Sequence, residues 1–134
     1  MKRLTMQSLK YKLDIEGYPC QRPRLGKHGA YNPSKYTKHK NDLIFLLKSL
    51  NVPKMDYKAV KLAFYFPYPK STPLKKRIDL APMNYKYDID NLIKSFFDAL
   101  QQSGIITDDR TICGIYAIKL FSVENKGWIE FDIE

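Results

Sequence analysis

"DIDNLIKSFFDALQQSGIITDDR", residues 88–110, sets the frame for the rest of the chain. Its apolar residues Ile89, Leu92, Ile93, Phe96, Phe97 and Leu100 recur every three or four positions, the repeat of a helix with one buried stripe. Asp90, Lys94 and Asp98 stand four apart and share the opposite side. Gly104 supplies a stop, and "IITDDR" carries the chain onward. The stretch therefore predicts an amphipathic helix in a module with a pair of acids at each end: Asp88 and Asp90 at its start, Asp108 and Asp109 at its close.

On either side of this helix the periodicity changes to two. Upstream, "YKAVKLAFYFP" at 57–67 predicts a strand with Val60, Leu62, Phe64 and Phe66 on one face, closed by Pro67 and Pro69. Downstream, "TICGIYAIKLFSV" and "GWIEFDIE" predict two more strands, joined by "ENKG" in what reads as a tight hairpin. Nearer the N-terminus, "LKYKLDIEG" at 9–17 alternates Leu9, Tyr11, Leu13 and Ile15 with polar residues and predicts a strand ending at Gly17. Residues 18–40 carry basic side chains and no acid, and Pro19, Pro23, Gly26 and Gly29 make the first part a loop. From Pro33 a second helix is expected over "SKYTKHKNDLIFLLKSL", stopping before Pro53. Residues 68–86 form a long proline-rich connection of the kind that binds something or moves. One α/β domain over 1–134, of the α+β type with two main helices and about four strands, is the expected architecture.

Composition narrows the partner. With 23 Lys and Arg against 14 Asp and Glu, the net charge of +9 favours a polyanion, nucleic acid ahead of an acidic membrane surface. Cys20 and Cys113 match neither a zinc knuckle nor a redox pair, so reduced thiols in a cytoplasmic protein are expected. Behind Lys2 and Arg3 there is no apolar block of the kind a secretory signal requires. The apolar run "LIFLL" at 43–47 is far short of the roughly 20 residues that span a bilayer, so no membrane partner is expected.

In so basic a chain the acids need an explanation. Singly, Asp88 or Asp90 can cap the helix, Lys94 can pair with Asp98, and Asp108 with Asp109 can make a turn. If Asp88, Asp90 and Asp109 converge, each like-charged pair at about 4 Å costs roughly 4 kcal/mol at an effective dielectric near 20. Something positive must then sit among them: a proton on one acid, a lysine, or a divalent cation. Magnesium takes hard oxygen ligands and is commonly held by a few carboxylates plus substrate phosphate. Histidines 28 and 39 offer no transition-metal spacing.

"YDIDNLIKSFFDAL", followed by Gly104 and "DDR", resembles the core motif of the RusA family of Holliday-junction resolvases. "QRPR" and "YNPSKYTKHK" also resemble that family's N-terminal region, and the similarity runs from about residue 18 to the C-terminus. The resemblance implies a mixed α/β fold and a homodimer that cuts four-way DNA junctions. It implies that Asp88, Asp90 and Asp109 bind magnesium, with Asp108 close enough to contribute, and that Lys94 assists catalysis. Asn91 fits the motif in an orienting role.

Substrate contacts under that reading fall to Arg22, Arg24, Lys27, Lys35, Lys38 and Lys40, with Lys76 and Arg77 in a second patch that also includes Lys70 and Lys75. Six phosphate contacts would make affinity fall roughly a thousandfold between 50 and 200 mM salt. Tyr85 and Tyr87 either pack or stack on unpaired bases. The competing expectation is a non-catalytic protein that binds branched DNA or RNA.

Overall fold

The protein is described by a computed structural model that covers residues 9–21, 24–31 and 33–134, with the backbone alone for Arg24 and Tyr31. In chain order it forms β1 (Tyr11–Leu13), β2 (Arg24–Gly26), β3 (Gly29–Tyr31), α1 (Ser34–Ser49), β4 (Ala59–Pro67), α2 (Ile89–Gln102), β5 (Gly114–Ser122) and β6 (Trp128–Ile133). Single turns of 3-10 helix occupy Leu74–Lys76 and Asp109–Thr111.

β4 organises the sheet because both of its faces are apolar. Val60, Leu62, Phe64 and Phe66 are buried on one side and Ala63 and Tyr65 on the other. A strand apolar on both faces belongs in the interior of a sheet, and β4 is paired on both edges. The sheet order is β1-β6-β4-β5, with β5 parallel to β4 and β6 antiparallel to it. Two main helices and a mixed four-stranded sheet are therefore present, as expected. The hairpin expected between β5 and β6 is not: Ser122 pairs with Pro67 and Trp128 with Tyr65, so the connection crosses the end of β4 from one edge to the other. At that crossing Gly127 lies against the Tyr65 carbonyl, where a Cβ would stand 2.6 Å from the oxygen.

The 18–33 segment, expected as a loop, contains the small β2–β3 hairpin, whose turn ends at Gly29 with φ +110. The first strand is shorter than its alternating pattern, covering only Tyr11–Leu13.

α1 follows Pro33, whose fixed φ suits a helix start, and it buries Tyr36, Leu43 and Leu47. α2 buries Leu92, Phe96, Phe97, Ala99 and Leu100 and is followed by Gly104 at φ +83. The core lies where these helices meet Leu13, Leu62, Phe64, Ile129 and Phe131 of the sheet. Phe96 meets Phe131 edge to face at 5.2 Å between ring centroids, and removing such a ring costs about 3–5 kcal/mol. Gly17 is needed for close approach, because a Cβ there would stand 2.8 Å from Phe64 Cδ1.

The proline-rich connection is tied to the sheet. The amides of Leu80 and Met83 donate to the carbonyls of Phe121 and Lys119, and the Phe121 amide donates to Ala81. This covers the outer edge of β5 near its C-terminal end. Among the described residues the outer edge of Gly114–Ile118 has no backbone partner, and Ile115 and Tyr116 are exposed there.

Candidate active site

The N-terminus of α2 presents Asp88 and Asp90 together. Asp88 is the residue before the first turn, yet its carboxylate makes no capping hydrogen bond. Asp90 Oδ1 accepts from the amide of Asn91 at 3.0 Å. Both side chains are exposed, and the positive end of the helix dipole offsets part of their mutual repulsion. Asn91 is anchored by its backbone, its carbonyl accepting from the Cys20 amide at 2.9 Å.

The two acids open into a depression of about 350 Å³ that is also lined by Tyr85, Lys86 and Lys119. Lys119 reaches it from β5, and its Nζ donates to the Tyr87 carbonyl. Lys86 holds a left-handed backbone at φ 75, uncommon for a residue with a side chain and of the kind that tends to gather at functional sites. Neither lysine was singled out from the sequence for this place. A signal for Lys119 was present, since it is the only charge in "GIYAIKLFS".

Lys94 lies one turn beyond Asp90 and is exposed. It does not pair with Asp98, which instead accepts from the Tyr36 hydroxyl at 3.4 Å. Burial, the neighbouring Cys20 and then Asp98 push the Tyr36 hydroxyl upward from its ordinary range.

The second pair of acids sits differently. Asp108 precedes the 3-10 turn Asp109–Thr111 and accepts from the Arg110 amide at 2.9 Å and from Arg110 Nε at 2.8 Å. Arg110 Nη2 stands 2.6 Å from the same carboxylate. These hydrogen bonds to Arg110 hold Asp108 down at about 2. Asp109 is exposed and lies outside the depression that holds Asp88 and Asp90.

Among the described residues, no three His, Cys, Asp or Glu side chains stand close enough together to hold a metal ion. The expected convergence of Asp88, Asp90 and Asp109 is therefore not met within one chain. Asp88 and Asp90 alone fit magnesium in donor chemistry, since two hard, exposed carboxylates with substrate phosphate make an ordinary magnesium site.

The expected DNA contacts scatter. Arg22 lies outside the described residues, and only the backbone of Arg24 is described. Lys27 is exposed in the β2–β3 turn. On α1, Lys35 and Lys38 are exposed, Lys38 pairs with Asp42 at 3.0 Å, and Lys40 lies over the Tyr36 ring at 5.3 Å. Lys76 is exposed, while Arg77 donates to the carbonyls of Thr72 and Pro69 and so braces its own loop.

Paired carboxylates beside two lysines, on a chain of net charge +9, are groups that phosphodiester chemistry on nucleic acid can use. The family model for endodeoxyribonuclease RusA matches residues 14–133, nearly the whole chain, and the chain belongs to that family. Membership supports nuclease activity on DNA, and nucleases of this type generally depend on a divalent metal. No curated protein matches the chain. Among the described residues no helix is long and apolar enough to cross a membrane.

Proposed function

We propose that the protein is a magnesium-dependent crossover junction endodeoxyribonuclease that resolves four-way DNA junctions by paired symmetric nicks, in recombination and repair, in the cytoplasm or in phage infection. The observation that carries this reading is the opening of Asp88 and Asp90 beside Lys119 within a chain of the RusA family. Asp88 and Asp90 hold the cation, which when bound lowers the pKa of a water and neutralises charge on the phosphate. Lys119 and Lys94 supply fixed positive charge to the phosphoryl oxygens, where negative charge grows in the transition state. Asn91 orients the first turn of α2, and the basic side chains of α1 with Lys70, Lys75 and Lys76 of the proline-rich connection hold the flanking phosphates.

The working form is a homodimer. A four-way junction is close to two-fold symmetric, and a C2 pair of subunits matches it with one site per subunit. The unpaired Gly114–Ile118 edge suits such a seam, because antiparallel pairing of two copies of β5 is self-complementary. Asp109 precedes β5, and Asp88 with Asp90 share their depression with Lys119, five residues and roughly 16 Å into the strand from Gly114. Pairing of this kind carries the partner's Asp109 toward Asp88 and Asp90 and relieves the shortage of a third carboxylate in one chain.

The test is a cleavage assay on four-way, duplex and flap DNA with magnesium, calcium or chelator. Symmetric nicks confined to the four-way substrate and dependent on magnesium are expected. Binding without cutting under every condition would instead support a structural DNA-binding protein.

A further inference from the structure

A second cavity, larger than the acidic depression, adjoins it. Its volume is about 860 Å³, within the roughly 300–1,000 Å³ typical of small-molecule sites. Tyr85 and Lys86 line both spaces, so one short piece of backbone forms the wall between them. The far side is built by Tyr68, Lys70 and Glu16.

The cavity has the features of a site for a flat, polar, aromatic ring. Tyr68 is fixed: its hydroxyl donates to the Ile78 carbonyl at 2.5 Å and accepts from the Ile78 amide at 3.0 Å, and its ring stacks on Phe121 at 4.2 Å. Tyr85 leans on the same Phe121 ring at 5.7 Å, yet 45% of its surface is exposed. A half-exposed ring held from behind by another ring is a ready stacking platform. Lys70 and Lys86 place positive charge at the rim, where a sugar-phosphate backbone would pass. Glu16 adds a hydrogen-bond acceptor in the wall; burial pushes its carboxyl up, and Lys86 partly opposes that.

We infer that this cavity receives one unstacked nucleobase from the DNA strand whose phosphate lies against Asp88 and Asp90, with Tyr85 as the stacking surface. The inference rests on the nuclease reading only for the strand that it places there. Its chemistry supplies a reason for structure selectivity: at a branch point a base leaves its stack easily, whereas in continuous duplex it must first be unpaired and unstacked. Glu16 accepts from an amino or ring N–H group of the base, and Lys86, held in its left-handed conformation, keeps the two spaces in register.

The test measures binding, not cutting. Four-way junctions, intact or made abasic at each nucleotide flanking the branch point, are titrated in chelator by fluorescence anisotropy with the wild type, Tyr85→Ala and Tyr85→Phe. One base stacked on an aromatic side chain corresponds to about 5- to 150-fold in affinity. Tyr85→Ala should weaken binding of the intact junction by that order, and Tyr85→Phe should restore it. One abasic position should weaken the wild type similarly, with Tyr85→Ala adding no further loss there. Thermal melting of both variants should match the wild type, because Tyr85 is outside the core. Equal losses by Tyr85→Ala on intact and abasic junctions, or no loss on either, would overturn the inference. A wild type that binds but never cuts in magnesium would sink the nuclease reading alone, leaving this binding measurement to decide the cavity.

Discussion

The two carboxylate pairs look alike in sequence and have come to different ends in the fold. Asp88 and Asp90 sit on the N-terminal turn of α2, make no ion pair among the described residues, and open into a depression with Lys86 and Lys119. Asp108 is engaged three times by Arg110, through its amide, Nε and Nη2, and serves as the cap of a 3-10 turn. The difference is one of neutralisation. A carboxylate already satisfied by a guanidinium has its lone pairs filled and holds a turn; one left facing a shared depression keeps them for a ligand. Asp109, beside Asp108 but without that partner, belongs in chemical character with the first pair.

The sharpest way to break this comparison is substitution within the first pair. Asp88→Asn or Asp90→Asn should lower junction cleavage by about a thousandfold or more while junction affinity holds or rises, as read by single-turnover cutting beside gel-shift titration. Asp109→Asn should follow them. Ile115→Asp, placed on the open edge of β5, should convert a sedimenting dimer to monomer and lower cutting with it; a dimeric, fully active Ile115→Asp protein would remove that edge from assembly. Lys119→Ala should lower the cleavage rate by about a hundredfold, as loss of one fixed donor to a charged transition state does.

At the small end stands the Arg110-bound acid: Asp108→Asn should change cutting by less than about threefold. Its pH behaviour follows from the same bonds. The carboxyl is held below its unfolded value, so its contribution to stability is present above the ordinary carboxylate range and is lost only as pH falls through about 2. A cleavage profile between pH 5 and 9 should thus be the same in wild type and Asp108→Asn. His39 acts in the same direction, at higher pH. Burial lowers its pKa more than the contact of its Nε2 with the Glu16 carbonyl, at 2.7 Å, raises it, so on acidification the unfolded chain takes up the proton first and stability falls as pH drops below the ordinary histidine range.

Much of this was legible before any coordinates. The stripe from Ile89 to Leu100 and the two-sided apolar run of β4 are strong local patterns, and both elements formed where those patterns lie. The order of the strands was not local information. "ENKG" has the residues of a tight hairpin, but the need of β4 for two neighbours sent β6 to its other edge, and a turn signal cannot report that competition. The β2–β3 hairpin escaped notice because its strands are three residues each, too short for alternation to show. At the site, the motif identified Asp88 and Asp90, which share a helix turn. It could not show that Asp109 stands apart from them in a single chain, nor that Lys119, close on 30 residues downstream, enters beside them through the sheet.

The central claim, that the unneutralised acids of α2 perform the chemistry while the Arg110-bound acid holds a turn, is tested most directly by assaying Asp90→Asn and Asp108→Asn together. Each is mixed with a four-way junction and magnesium, and nicks are counted in a single turnover. The account predicts a bound but uncut junction with Asp90→Asn and near wild-type symmetric nicking with Asp108→Asn. Cutting by Asp90→Asn at the wild-type rate would contradict it.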